Sequence, residues 1–185
     1  YIYGTSEDAV WVNLYIGNYA EITTGKKTFT LKQETNYPWD GNVILTVESL
    51  DKPLKKEFRL RIPDWCKSHT VFVNGNVIEN AQIEKGYLVI DRKWKSGDKI
   101  TLTMDMPVEI VQADPRVKEN IGKRAVQRGP LVYCVEETDN PSFNELALSS
   151  NTKFKEAFDS SVLNGVTTVD AVSGDKTIRL IPYYA

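Results

Sequence analysis

Residues 57–77 carry the sequence EFRLRIPDWCKSHTVFVNGNV, and this stretch decides the fold. Phe58, Leu60 and Ile62 alternate with charged residues, which is the period-two pattern of a strand buried on one side and solvated on the other. A proline then ends the strand, because it has no N–H to donate. The next apolar run meets Asn74-Gly75, a pair favoured in two-residue hairpins since both residues must take positive φ. The stretch therefore predicts antiparallel β-sheet.

Length and composition exclude several classes of function. The chain has 185 residues, enough for one large or two small domains, and a formal net charge of −2 with acids and bases interspersed. No basic patch suits a nucleic acid, and no apolar run approaches the roughly 20 residues that span a membrane. The first residue is Tyr1 rather than Met, so we expect a fragment or a processed product. We therefore predict neither a nucleic-acid nor a membrane partner; the localisation stays unknown.

Strand patterns recur every 10–15 residues or so, with turns between them and no amphipathic helix of useful length. Residues 9–16 alternate, which predicts Leu14 and Ile16 on one buried face and Tyr15 on the other face, where aromatic residues indicate partial cover. Further strands are predicted at Thr28–Gln33, Val43–Glu48, Gly86–Asp91 and Lys99–Met106. The pattern is typical of an all-β protein, and we predict an antiparallel β-sandwich.

The regular succession of strand patterns is interrupted near residue 113. A polar segment with Pro115 at a first helical position predicts one short helix over 114–120, and we place a domain boundary here. Four more strands are predicted beyond it: Leu131–Val135, Lys153–Phe158, Val166–Val172 and Thr177–Ile181. We therefore divide the chain into residues 1–112, a first β-sandwich, and residues 113–185, a second and smaller β-sandwich with a thin core.

Side chains that carry catalytic chemistry are few. The lone histidine, His69, lies in a polar stretch and is interpreted as a solvated loop residue. Cys66 and Cys134 are interpreted as buried free thiols, since neither has the partners of a zinc site. The carboxylate pairs Glu34/Asp40 and Glu136/Glu137 are the kind that arise by chance among 25 acids. We predict no catalytic residue and no metal site in this chain.

One loop has a composition that suits binding. Residues 34–41 contain Tyr37, Trp39 and Asp40, and flat aromatic rings beside a carboxylate can bind a sugar. The alternatives are structural packing, an interdomain contact, or a carbohydrate-binding module that uses this loop. Structural packing predicts that Trp39 is buried and that Asp40 accepts hydrogen bonds from the N–H groups of its own turn. Trp65 and Trp94 are interpreted in the same way, as caps on the ends of the sandwich.

An immunoglobulin-like adhesion domain is a third class, because such domains contain Cys, Trp and Cys in that order. Cys66, Trp94 and Cys134 follow this order, but their spacing is too long for one sandwich.

Five stretches together resemble the C-terminal β region of glycoside hydrolase family 127, the β-L-arabinofuranosidase-like group. They cover nearly the whole chain in the family's order, and no single one is decisive. The stretches are Thr5–Asp8 with Val12–Ile16, Asn36–Gly41, Leu60–Cys66 with Val73–Gly75, Gln127–Tyr133, and Ile181–Ala185.

The resemblance implies an (α/α)6 catalytic barrel upstream in the same polypeptide, followed by two β-sandwiches. The family's cysteine nucleophile, zinc-binding cysteines and glutamate acid belong to that barrel, so no catalytic role passes to Cys66 or Cys134. The family usually continues with a Trp and further β-structure, which implies an incomplete second sandwich. The implied function is a non-catalytic scaffold that packs against the barrel. A plant-derived oligosaccharide is the implied ligand, zinc is implied only for the catalytic domain, and a periplasmic or extracellular parent enzyme is implied.

Overall fold

The computed structural model describes residues 1–141, 147–162, 164–173 and 176–184. Ala185, the last residue of the fifth family-like stretch, lies outside the described residues. The chain divides into two compact units, Tyr1–Met106 and Pro107–Ala185. No helix in the described part is long and apolar enough to cross a membrane.

Unit 1 is a sandwich of two sheets. Its strands are β1 Tyr3–Thr5, β2 Ala9–Val12, β3 Asn18–Thr24, β4 Lys27–Thr35, β5 Asn42–Ser49, β6 Leu54–Arg61, β7 His69–Val73, β8 Asn76–Val77, β9 Gln82–Glu84, β10 Tyr87–Trp94 and β11 Lys99–Met104. One sheet has the order β1-β2-β6-β10-β9 and the other β3-β4-β5-β11-β7-β8. All pairs are antiparallel except β2 with β6, which is parallel. The all-β sandwich predicted from the sequence is confirmed.

The central strand β6 buries the face that its alternation predicts. Phe58, Leu60 and, just beyond the strand, Ile62 are all buried in the core between the sheets. The Phe58 ring lies 4.6 Å from the ring of Trp94, centroid to centroid. Trp94 is almost fully buried, and its Nε1 donates to the Lys56 carbonyl at 2.9 Å. Trp94, the last residue of β10, is therefore a core residue and not the cap that the sequence interpretation expected.

Two tight backbone positions fix the loops of unit 1. Asn74 and Gly75 both have positive φ, 53° and 79°, as the hairpin prediction requires. Gly41 lies so close to β11 that a Cβ there would collide with the Met104 carbonyl oxygen. Because Gly41 has no side chain, the loop before β5 can lie directly against β11.

The alternation predicted for residues 9–16 is wrong after Val12. The N–H groups of Asn13 and Leu14 both donate to the Ile2 carbonyl, at 2.8 and 3.4 Å, so the regular ladder ends there. One irregular residue reverses which side chains face the core. Tyr15 is consequently buried, with 5% of its surface exposed, whereas Leu14 and Ile16 are 39% and 50% exposed.

Unit 2 is a six-stranded antiparallel sheet with the order β12-β13-β14-β17-β16-β15. Its strands are β12 Val108–Val111, β13 Ala125–Arg128, β14 Leu131–Val135, β15 Lys153–Asp159, β16 Val166–Ser173 and β17 Lys176–Pro182. Its small core contains Val126, Tyr133, Val169, Ala171, Ile178 and Leu180. The four strands predicted after residue 131 are all present, and a short 3-10 helix forms at Lys118–Asn120.

The division between the units falls at Met106/Pro107, earlier than the boundary we placed after residue 112. Strand β12, Val108–Val111, pairs with β13 and so belongs to unit 2. The polar segment that suggested the later boundary is instead the loop between these two strands.

Candidate functional site

Three aromatic rings meet at one end of unit 1, and we call Tyr15, Tyr37 and Trp65 the aromatic cluster. Tyr37 comes from the loop between β4 and β5, and Trp65 from the corner after β6. The rings of Tyr37 and Trp65 stack with centroids 6.4 Å apart and planes inclined by 18°. Tyr15 meets Tyr37 edge-on at 5.8 Å. These are the arrangements that aromatic pairs prefer, and they place Tyr37 partly in the core.

Hydrogen bonds and burial fix the cluster. The Tyr15 hydroxyl donates to the Arg61 carbonyl at 2.5 Å, which ties residues 13–17 to the end of β6. Burial raises the pKa of Tyr15 well above its usual range, and burial likewise raises the pKa of Tyr37. Both phenols are therefore neutral hydrogen-bonding groups at ordinary pH, with the character of structural residues rather than of proton-transfer groups.

Trp39 is not buried, contrary to the sequence prediction. Trp39 is 49% exposed, whereas Tyr37, two residues earlier, stacks on Trp65. The peptide bond between Tyr37 and Pro38 is cis. The loop therefore places Tyr37 inward and Trp39 outward.

The prediction for Asp40 is confirmed. Its Oδ1 accepts a hydrogen bond from the Asn42 N–H at 2.8 Å, and its Oδ2 accepts from the Asn36 side-chain amide at 3.4 Å. The carboxylate thus closes its own turn, as a short acidic side chain commonly does. Glu34, which the sequence analysis interpreted as a chance neighbour of Asp40, forms an ion pair with Lys32 at 3.0 Å. Each carboxylate has its own local partner.

His69 does not lie in a solvated loop. It is the first residue of β7, it pairs with Met104 of β11, and it is half-buried. The sequence interpretation missed this because the residues before it are polar and the apolar alternation begins only at Val71.

Both cysteines are free thiols, as predicted, but only Cys66 is buried, and Cys134 is half-buried. The Cys66 thiol donates to the Ser68 carbonyl at 3.2 Å, and burial raises its pKa. Burial also raises the pKa of Cys134. A raised pKa keeps a thiol protonated and unreactive. Within residues 1–141, 147–162, 164–173 and 176–184, no three His, Cys, Asp or Glu side chains lie together as a metal site would require.

Sequence reasoning missed Tyr15 and Gln33. Gln33 is buried, and its Nε2 donates to the carbonyls of Leu14 and Ile16 at 3.3 and 3.0 Å. The available signal is a glutamine that continues the inward series Phe29 and Leu31 of β4. Such a buried amide needs backbone partners, and here it binds the irregular segment that carries Tyr15.

A carbohydrate platform at this end would need both rings of the loop in solvent. Only Trp39 meets that condition, since Tyr37 stacks on Trp65. The arrangement can hold the loop rigid and present one exposed indole beside a turn carboxylate. It has the character of a packing surface more than of a reaction centre.

Comparisons with known proteins match both units. The sequence model described as beta-L-arabinofuranosidase, GH127 middle domain, matches residues 9–106. The model described as glycoside hydrolase family 127 C-terminal domain matches residues 108–185. These two ranges follow the division of the structure at Met106/Pro107 closely.

One curated relative and two solved structures are also similar to this chain. The relative is the non-reducing end beta-L-arabinofuranosidase of Bifidobacterium longum subsp. longum, 35% identical over 92% of this chain but only 30% of its own length. A GH127 beta-L-arabinofuranosidase from Geobacillus stearothermophilus T6 is 37% identical with a TM-score of 0.89, covering 100% of this chain and 32% of that one. A further GH127 beta-arabinofuranosidase is 36% identical with a TM-score of 0.84, covering 96% and 32%.

The chain thus spans about a third of the length of these relatives. The resemblance read from the sequence is confirmed, and this chain belongs to glycoside hydrolase family 127, matching its middle and C-terminal domains.

Proposed function

We propose that this chain is the β-sandwich scaffold of a β-L-arabinofuranosidase and that it stabilises a catalytic domain carried by the same polypeptide. The observation that supports this proposal most strongly is the match to the family's middle and C-terminal domains, together with relatives about three times as long as the chain. The aromatic cluster supports it, because its side chains are engaged in packing and in hydrogen bonds to the backbone. The reaction and its zinc ion belong, in this proposal, to the catalytic domain.

The substrate of the whole enzyme is, in this proposal, an oligosaccharide with a terminal β-L-arabinofuranosyl residue. The activity named for the relatives, β-L-arabinofuranosidase, supports this class of sugar, and plant material is the source that we propose.

The experiment uses the full-length gene product that contains this chain. Leu60→Ala opens a cavity in the core of unit 1, and Arg59→Ala is its matched neighbour on the outer face of the same strand. If the chain stabilises the catalytic domain, Leu60→Ala lowers the temperature at which hydrolysis of p-nitrophenyl β-L-arabinofuranoside is lost, and Arg59→Ala lowers it much less. Equal heat inactivation of both variants and the parent would contradict the scaffold role.

A carbohydrate-binding module remains the second candidate, because the Trp39 ring is exposed beside Asp40. Titration of tryptophan fluorescence with arabinan, pectin and xylan fragments tests it. A saturable change that disappears in Trp39→Ala, with unchanged thermal stability, would favour the binding module over the scaffold.

A further inference from the structure

Three large apolar side chains project into solvent from two neighbouring segments at the end of unit 1 that holds the aromatic cluster. They are Leu14, Ile16 and Trp39, and we call them the apolar patch; between 39% and 50% of each is exposed. Single exposed apolar residues are ordinary, whereas several of them on adjacent segments favour an interaction site.

Contacts beneath the patch hold the two segments together. Tyr15 lies between Leu14 and Ile16 in sequence, points inward, and meets the Tyr37 ring at 5.8 Å. Tyr37 is in turn two residues from Trp39. The inward-facing residues therefore bring the outward-facing ones onto adjacent segments.

The backbone that presents the patch is fixed. Gln33 donates to the carbonyls of both Leu14 and Ile16, and the Trp39 N–H donates to the Asn36 carbonyl at 2.9 Å. Side chains on a preorganised backbone lose less conformational entropy when a partner covers them. A backbone fixed in this way therefore favours a permanent contact with a partner.

The start of the chain lies beside the same surface. The Asn13 side-chain amide donates to the Tyr1 carbonyl at 3.3 Å, and the Asn13 N–H donates to the Ile2 carbonyl at 2.8 Å. Unit 1 matches a domain described as the middle one of its family, and the relatives are about three times as long as this chain. A preceding domain that joins through Tyr1 is attached next to Leu14.

We propose that the apolar patch is the surface on which the preceding domain of the same polypeptide packs. This inference rests on the proposed function and adds to it the face of the sandwich that makes the contact. The occupant is a domain rather than a sugar, because the patch pairs an indole with two aliphatic side chains and Tyr37 is not free to form a second platform.

Hydroxyl-radical footprinting of the full-length gene product tests the proposal. Trp39 and Tyr19 are 49% and 69% exposed in this chain, and Tyr19 on β3 serves as the internal reference. If the patch is covered, the oxidation rate of Trp39, corrected for intrinsic reactivity, falls at least about fivefold below that of Tyr19, because interface cores lose nearly all solvent contact. Comparable corrected rates for the two residues would overturn the proposal.

Substitutions give an independent measurement on the same protein. Ile16→Arg places a charge in the patch, whereas Ile83→Arg changes an equally exposed isoleucine on the edge strand β9. We expect Ile16→Arg to lower the melting temperature of the full-length protein and Ile83→Arg to leave it unchanged; equal effects would contradict the proposal. If Trp39 is labelled freely while other residues of the chain are protected, the scaffold stands and this face is wrong. If no residue is protected, the scaffold role fails as well.

Discussion

Tyr37 stacks on Trp65 at 6.4 Å, and this contact decides the orientation of the whole loop between β4 and β5. Tyr37 therefore lies beside the corner after β6, packed against the core. Trp39 is consequently directed into solvent. The end of the sandwich thus has an aromatic interior and an apolar exterior, which is the basis for the inference about its partner.

We expect Tyr37→Ala to destabilise the chain by about 2 kcal/mol, since it removes a ring that is packed against the core. Trp39→Ala should cost less than half of this, because surface substitutions usually change stability by less than about 0.5 kcal/mol. Urea denaturation of the purified chain measures both. Tyr37→Phe, which keeps the ring, is the control and should retain most of the stability. A larger loss for Trp39→Ala would show that the two rings had been assigned to the wrong sides.

Leu60→Ala should lower the free energy of unfolding by about 2–5 kcal/mol, through lost burial and the cavity that remains. Arg59→Ala should lower it less, although Arg59 forms ion pairs with Glu57 at 2.7 Å and Glu84 at 3.0 Å. Surface ion pairs contribute only about 0–1 kcal/mol each. Denaturant midpoints rank the two variants, and the reverse ranking would contradict the inside and outside faces of β6.

Gly41→Ala should destabilise unit 1 by about 1–3 kcal/mol, because the added methyl would collide with the Met104 carbonyl and must displace the loop. Gly17→Ala is the matched control, since a Cβ there would lie at an ordinary 3.7 Å from the Gln33 carbonyl oxygen. Thermal melts followed by circular dichroism compare the two. Equal melting temperatures for both variants would mean that the loop is not held against β11.

Asp159 should make unit 2 sensitive to acid. Hydrogen bonds from the Ser161 hydroxyl and N–H, and then the Arg179 guanidinium, lower the pKa of Asp159 to about 2. An unfolded Asp has a pKa of about 3.9, so this stabilisation is complete above about pH 4 and is lost as the pH falls towards about 2. We expect Asp159→Asn to melt below the parent at pH 7 and level with it near pH 2. Asp139→Asn, at an exposed position of the same unit, controls for the loss of one charge. A difference that persists at pH 2 would contradict this assignment.

The sequence predicts those parts of the fold that depend on local pattern. The alternation at Phe58 and Leu60 and the turn at Asn74-Gly75 are set by neighbouring residues, and both predictions are confirmed. The face predicted for Tyr15 is wrong because a contact with Ile2, distant in sequence, interrupts the ladder.

The sequence predicts the candidate site only in part, for the same reason. Asp40 bonds within its own turn, so its role follows from the sequence. Whether Tyr37 or Trp39 points inward depends on the position of Trp65, which no local pattern fixes.

The most direct test of the central claim is the hydrolytic activity of residues 1–185 alone. The purified chain is incubated with p-nitrophenyl β-L-arabinofuranoside and a panel of plant oligosaccharides, beside the full-length gene product. The account predicts turnover by the full-length protein and none above buffer by the chain. Turnover by the chain that survives repurification, and that is lost when one of its own acids such as Glu34 or Asp40 is replaced by the amide, would contradict it.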